Sequence, residues 1–445
     1  MDNKADLIKK EIFAKVAEYY SLVHKPKEFL PGKSRVPYAA RVFDEKEMQA
    51  LVDSALEFWL TYGGYSERFE AELGRYIGTR HVFFVNSGSS ANLLAVAALA
   101  SPKLGDRRLR PGDEAITVAA CFPTTVAPLI QHGVIPVFVD VSLPTYNIDS
   151  SRLKAALSSR TKAVVLAHTL GNPFDIGAVK EFCVKHGLWL IEDNCDALGS
   201  RYDGRFTGTF GDIATGSFYP PHHITTGEGG AVYTGSSELA EIVASIRDWG
   251  RDCFCPSGKD NTCKRRFSQK FGELPAGYDH KYVYSHFGYN LKATDMQAAI
   301  GCVQLEKLPA FTEARKKNFS FLYDRLRHLE DKLVLPRATE NSDPSWFGFL
   351  LTVRGGCAVT RDMAVRFLED NGVQTRMLFA GNILRQPCFD EMRAAGTGFR
   401  VAEELKNTDT IMNNTFWIGV YPGLTEPMLD YVAGKISDCF ALGVR

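Results

Sequence analysis

An α/β fold built on a large, mostly parallel sheet is the architecture this sequence predicts, and three observations predict it. Between about residues 80 and 235, short β-rich runs alternate with helical stretches, the rhythm of helices packed on a central sheet. Several of those runs are apolar at consecutive positions, as strands covered on both faces must be. A long helical stretch then leads to a second, shorter set of strands and helices, which predicts a smaller C-terminal α/β domain.

The elements follow in order. Residues 1–36 read as a charged helical extension and 37–310 as the large domain. Its predicted strands are His81 to Val85, Ala115 to Val118, Ile135 to Asp140, Ala163 to Ala167, Leu188 to Asp193, Ala214 to Phe218 and Gly230 to Thr234. Leu93 to Ala100 reads as a buried helix face, far short of the roughly 18 apolar residues of a membrane span. An irregular insert with basic, aromatic and Cys residues occupies about 250–285. The helical stretch Thr294 to Leu329 carries the chain into the small domain, 311–445. Its predicted strands are Leu333 to Leu335, Phe347 to Val353, Val373 to Thr375 and Phe416 to Val420, and a helix from Glu426 closes it.

At 445 residues, 45% hydrophobic and 23% charged, the chain has the composition of an ordinary globular protein. Lys+Arg and Asp+Glu number 52 each, leaving no basic excess to bind nucleic acid. The N-terminus lacks the apolar core of a signal peptide, so a cytoplasmic location without a membrane partner is expected. In that reducing compartment the ten cysteines predict packing residues, metal ligands or catalytic groups rather than disulfides.

Ligands of such sheets gather outside the carboxyl ends of the strands. Asn86-Ser87-Gly88-Ser89-Ser90-Ala91 follows a strand and opens a helix, where free N–H groups, hydroxyls and the dipole suit a phosphate, although a Ser-rich cap reads the same way. Asp193 ends another strand. It could be a cap, a metal ligand or the anion that keeps a pyridine nitrogen protonated, as pyridoxal-type cofactors require. Phe122 could stack on such a ring or belong to the core. The third stretch runs Ser217-Phe218-Tyr219-Pro220-Pro221-His222-His223 and on to Gly227-Glu228-Gly229-Gly230.

Together with Pro111-Gly112-Asp113-Glu114, Pro136-Val137-Phe138-Val139-Asp140 and Gly288-Tyr289-Asn290-Leu291, this order of motifs resembles the sugar aminotransferases (DegT/DnrJ/EryC-type), a family of pyridoxal-phosphate enzymes, over roughly residues 40 to 440. The resemblance implies the aspartate-aminotransferase-like fold (fold type I). It places Gly88, Ser89, Ser90 and Ser217 on the cofactor phosphate, Phe122 on the ring and Asp193 at its nitrogen. It also implies a homodimer in which Asn290 reaches the neighbouring subunit's phosphate. Asp196 and Tyr219 are expected near the cofactor, with no role that chemistry alone assigns.

One position departs from the family. Its Lys, five residues after the Ser, is His222 here, and no lysine lies between Asp212 and Gly258. An imidazole has no primary amine and cannot form the imine that anchors pyridoxal phosphate, which disfavours ordinary transamination. A His can serve as a general base, and pyridoxamine phosphate brings its own amine to a ketone. That combination resembles the keto-sugar 3-dehydrases, in which a base moves a proton from the cofactor and the sugar's 3-hydroxyl leaves. The resemblance casts His222 as the base, against the alternative of a structural His in a dead site.

Cys253, Cys255 and Cys263 fall within eleven positions of the insert, a clustering that suggests metal. The Cys-x-Cys-x7-Cys spacing is not a usual zinc pattern, and iron-sulfur clusters also want four thiolates. Cys195, two residues beyond Asp193, is the best fourth candidate, although a strand-end Cys is commonly core. The set resembles the cluster pattern of the CDP-6-deoxy-L-threo-D-glycero-4-hexulose 3-dehydrases. That likeness implies a [2Fe-2S] centre, a CDP-linked 4-keto-6-deoxyhexose substrate and a separate flavin iron-sulfur reductase as electron donor. The implied pathway is 3,6-dideoxyhexose synthesis for lipopolysaccharide O-antigen. Two alternatives stay open: a cluster-free 3-dehydrase recycled by an amino acid donor, and a pseudoenzyme that binds a nucleotide sugar and carries structural zinc. The other six cysteines read as packing residues and His168 as a structural His.

Overall fold

Runs of five to seven residues rich in Val, Ile, Phe and Ala are too short for a buried helix and form the central strands. A computed structural model describes every residue except 1, 26, 256, 257, 263 and 443–445. Its strands are β1 (His81–Val85), β2 (Glu114–Val118), β3 (Ile135–Val139), β4 (Thr161–Ala167), β5 (Trp189–Asp193), β6 (Arg201–Tyr202), β7 (Arg205–Phe206), β8 (Ile213–Ser217) and β9 (Gly230–Thr234). Further along are β10 (Leu333–Val334), β11 (Ser342–Asp343), β12 (Gly348–Val353), β13 (Arg400–Val401) and β14 (Thr415–Gly419).

Eight strands form one sheet in the order β1-β9-β8-β5-β4-β2-β3-β13. Every pairing from β8 to β13 is parallel, and β9 runs antiparallel to both its neighbours. The period of two sorts each strand between two cores. Along β4, Ala163 and Val165 meet the helices Gly88–Leu99 and Ser237–Arg247, while Val164 and Leu166 meet the helix Ile176–His186 on the other face. The expected fold-type-I architecture is therefore what forms.

A second sheet, β10-β12-β14, is antiparallel. It shares an apolar core with the helices Asp295–Leu326, Arg361–Asp370 and Glu426–Leu442. The expected strand at Val373 to Thr375 does not form; Val373 makes a single parallel bridge to Val36 instead. Ile383, Phe389, Leu405 and Ile411 pack into the core of the large sheet, and β13 adds to its β3 edge. Arg400 of β13 reaches the fully buried Glu114 carboxylate at 2.8 Å, which Arg160 also meets at 2.7 Å.

The 250–285 insert stays irregular, with one short turn at His280–Tyr282 and a bridge from Arg251 to Tyr284. Gly250 anchors its entrance: φ is +83°, and a Cβ there would lie 2.0 Å from the His286 carbonyl oxygen, so only glycine fits. Among the described residues, no helix is long and apolar enough to cross a membrane.

Candidate active site

The parallel pairing sets the carboxyl ends of β5 and β8 side by side, and the helix Gly88–Leu99 begins against them. A cavity of about 290 Å³ opens there, lined by Gly88, Ser89, Phe122, Asp193, Cys195, Asp196, Ser217, Tyr219 and His222 together with Phe347 and Asn92. Nine of the sequence-predicted residues thus converge. Ser90 does not line the cavity, because its amide donates to the N-cap hydroxyl of Ser87 at 3.0 Å. Asn290 is exposed and bridged to Asp248, outside its own chain's cavity.

Gly88 is where the helix and β8 come closest. A Cβ on it would fall 2.5 Å from the Ser217 Cβ and 3.1 Å from the Cys195 sulfur. The absent side chain leaves a hollow framed by the helix N-terminus, Ser89 and Ser217, and the first amides of a helix have no intrahelical acceptors. Such a hollow suits a phosphate group.

Asp193, only 4% exposed, is held by donors on both oxygens. Its Oδ2 accepts from Asn92 Nδ2 at 2.9 Å and Thr125 Oγ1 at 2.7 Å, and its Oδ1 from the Cys195 amide at 3.2 Å. These bonds fix the direction of the carboxylate. The ring of Phe122, half exposed, stands edge-on to Phe379 at 5.9 Å.

His222 Nδ1 faces Asp196 Oδ1 at 3.4 Å without a hydrogen bond, and its ring stacks on Phe347 with centroids 5.2 Å apart. Behind it lies Arg315, 1% exposed, whose Nη2 donates to the His222 carbonyl at 3.1 Å and whose Nη1 donates to that of Trp346 at 3.2 Å. Burial, helped by the Arg315 charge, pushes the His222 imidazole down to about 4. Burial and then the negative charge of Asp193 push the Asp196 carboxyl up to about 8, against the pull of Arg315. At neutral pH the imidazole is therefore neutral and ready to accept a proton, while the neighbouring carboxyl keeps its own.

Burial, followed by the Asp193 charge, raises the Cys195 thiol. Cys253 and Cys255 line a different, small cavity of the insert with His280 and Asp260. Cys263 lies outside the described residues. Among the described residues, no three His, Cys, Asp or Glu side chains stand close enough to hold a metal ion. Of the six cysteines expected to pack, Cys121, Cys183, Cys302 and Cys439 are buried, Cys357 is partly buried and Cys388 is exposed. His168 pairs with Glu192 at 3.1 Å, both fully buried behind the site.

Asn92, Thr125, Arg315 and Phe347 escape sequence reasoning. Asn92 follows Ser87 by little more than a helical turn, which is the single local signal any of them carries.

Residues 42–437 match the model of the DegT/DnrJ/EryC1/StrS aminotransferase family. The chain is 56% identical to "Lipopolysaccharide biosynthesis protein RfbH" of Salmonella typhimurium, covering 98% of this chain and 99% of that one. It is 52% identical to a dTDP-4-dehydro-2,6-dideoxy-D-glucose 3-dehydratase of Saccharopolyspora spinosa, covering 97% and 92% respectively. Among solved structures it is similar to the E. coli GDP-4-keto-6-deoxy-D-mannose-3-dehydratase with bound hydrated PLP. The TM-score is 0.81 at 29% identity, over 91% of this chain and 100% of that one.

Proposed function

Because the chain belongs to the DegT/DnrJ/EryC1/StrS aminotransferase family, we propose that it removes the 3-hydroxyl of a nucleotide-linked 4-keto-6-deoxyhexose, using pyridoxamine phosphate. The observation that carries this reading is His222, an imidazole held neutral in the cavity where the family's imine-forming Lys would stand. The two 3-dehydratases similar to this chain support the reaction class, and the RfbH likeness supports a place in 3,6-dideoxyhexose and lipopolysaccharide synthesis.

The residues fit the cofactor. Gly88, Ser89 and Ser217 would hold its phosphate, Phe122 would stack on its ring, and the donor-held Asp193 would pair with its ring nitrogen. When bound, the cofactor supplies a primary amine for the ketone and a conjugated ring that accepts electrons. His222, with Nδ1 turned toward Asp196, takes up and returns the proton through Nε2. Tyr219 and Phe347 wall the cavity beside it. A homodimer in which Asn290 serves the neighbouring subunit would complete the proposed phosphate site, with Ser90 behind it holding the Ser87 cap.

The finer reading, a CDP-linked substrate with a [2Fe-2S] cluster on Cys195, Cys253, Cys255 and Cys263 fed by a flavin iron-sulfur reductase, is supported by the spacing of those cysteines. The described residues do not by themselves assemble that ligand set. Anoxically purified protein tests both levels. Iron, acid-labile sulfide and reductase-dependent turnover of CDP-4-keto-6-deoxyglucose are expected. His222→Asn should abolish C3–O cleavage and keep cluster absorption, whereas Cys253→Ser should bleach it. Iron-free protein that turns over with an amino acid donor would replace the cluster reading by the cluster-free one. Full activity in His222→Asn would overturn the assigned base.

A further inference from the structure

At the end of the sheet away from the cofactor, a groove of about 580 Å³ opens between the end of β9, the residues leading into β1 and the β6–β7 hairpin. The antiparallel register of β8 and β9 fixes this separation: Gly230 pairs with Ser217 at the cofactor end, and Tyr233 with Ala214 toward the other. Arg80, Arg201 and Arg205 all line the groove, and no carboxylate does. Arg160 and Arg400 meet a carboxylate at Glu114; among the described residues, the three groove arginines meet none. In a chain of zero net charge this convergence is not the by-product of a basic protein.

Two of the three guanidinium groups are already held in place. Arg201 lies 3.8 Å above the Phe206 ring and donates from Nη1 to the Gly204 carbonyl at 2.7 Å. Arg205 lies 4.5 Å above Phe210 and donates from Nη2 to the Thr209 carbonyl at 2.9 Å. Planar forks fixed by stacking lose little further freedom when an anion arrives, and each keeps donors to spare. Three forks present several charge-assisted donors, which suits an anion with many oxygens, and the volume is that of a small-molecule site.

We propose that this groove is a second ligand site, separate from the cofactor cavity, that binds the diphosphate group of a small molecule. The probe is inorganic pyrophosphate titrated calorimetrically into the cofactor-loaded enzyme, whose phosphate hollow at Gly88 is then filled. Saturable binding is expected, weakened about tenfold or more by Arg201→Ala and by Arg205→Ala. Arg80→Ala should weaken it likewise and removes neither hairpin hydrogen bond, so it keeps the test meaningful if the hairpin variants unfold. A nucleoside diphosphate that binds more tightly than pyrophosphate and loses that advantage in Arg80→Ala identifies a nucleotide as the natural source, and equal Arg80-dependent binding identifies diphosphate itself. The proposal is overturned if pyrophosphate does not bind at millimolar concentration, or binds the Arg80→Ala variant as tightly as the wild type.

Discussion

Replacing Asp196 by Asn gives a sharp test of the electrostatics at His222. The wild-type carboxyl is pushed from its ordinary 3.8 up to about 8, by burial and then by the charge of Asp193. A raised carboxyl means the folded state holds a proton that the unfolded chain has released, so stability falls as pH climbs from about 4 to about 8. The His222 imidazole, lowered from 6.5 to about 4, works the other way: the folded state binds fewer protons, and stability rises with pH up to 6.5. Above 6.5 only the Asp196 slope remains, about 1.4 kcal/mol per pH unit. Over the interval from pH 6.5 to 8 the wild type should lose roughly 2 kcal/mol that Asp196→Asn does not lose. Urea unfolding of cofactor-free, iron-free wild type and variant, at several pH values and one protein concentration, measures the difference directly. Parallel curves, with a constant gap between the two proteins, would refute the assignment of a protonated Asp196.

Two further substitutions address the cofactor cradle. Thr125→Val removes a 2.7 Å donor from the buried Asp193 carboxylate and should cost about 1–3 kcal/mol in unfolding free energy, with weaker cofactor retention on gel filtration. Unchanged retention would show that Asn92 and the Cys195 amide suffice to orient Asp193. Gly88→Ala puts a Cβ 2.5 Å from the Ser217 Cβ, so spectrophotometric titration with pyridoxamine phosphate should show clearly weakened binding; wild-type affinity would place the phosphate elsewhere.

Much of this was legible in the chain because the fold repeats simple signals. Strands covered on both faces leave uninterrupted apolar runs, and each one predicted in the large domain forms within a residue or two. His222 was legible through the family resemblance: its neighbours from Ser217 to Gly230 keep the family's order, so the residue standing where the family has Lys stands out. Arg315 was not: beside Lys316 and Lys317 in the 32-residue helix Asp295–Leu326 it reads as part of a solvated basic face, and only tertiary packing brings it to 1% exposure behind His222. Thr125 and Phe347 reach the cavity from a helix start and a loop that no local pattern ties to Asp193 or His222. The environment that shifts Asp196 is likewise a sum of burial and a neighbouring charge, neither of which spacing encodes. A two-residue strand such as β13 is too short to carry periodicity.

That short strand has a bearing on how the molecule is made. The edge of β3 is closed by Arg400 and Val401, so during synthesis it stays open while residues 140–399 are added. An open edge is a ready template for pairing with another chain. A protein cut just before Arg400 would keep seven of the eight strands of its main sheet yet lose its cover and one of the two guanidinium partners of Glu114. Such a truncated chain should associate edge to edge, and β13 thereby acts as the seal on a surface laid down long before it.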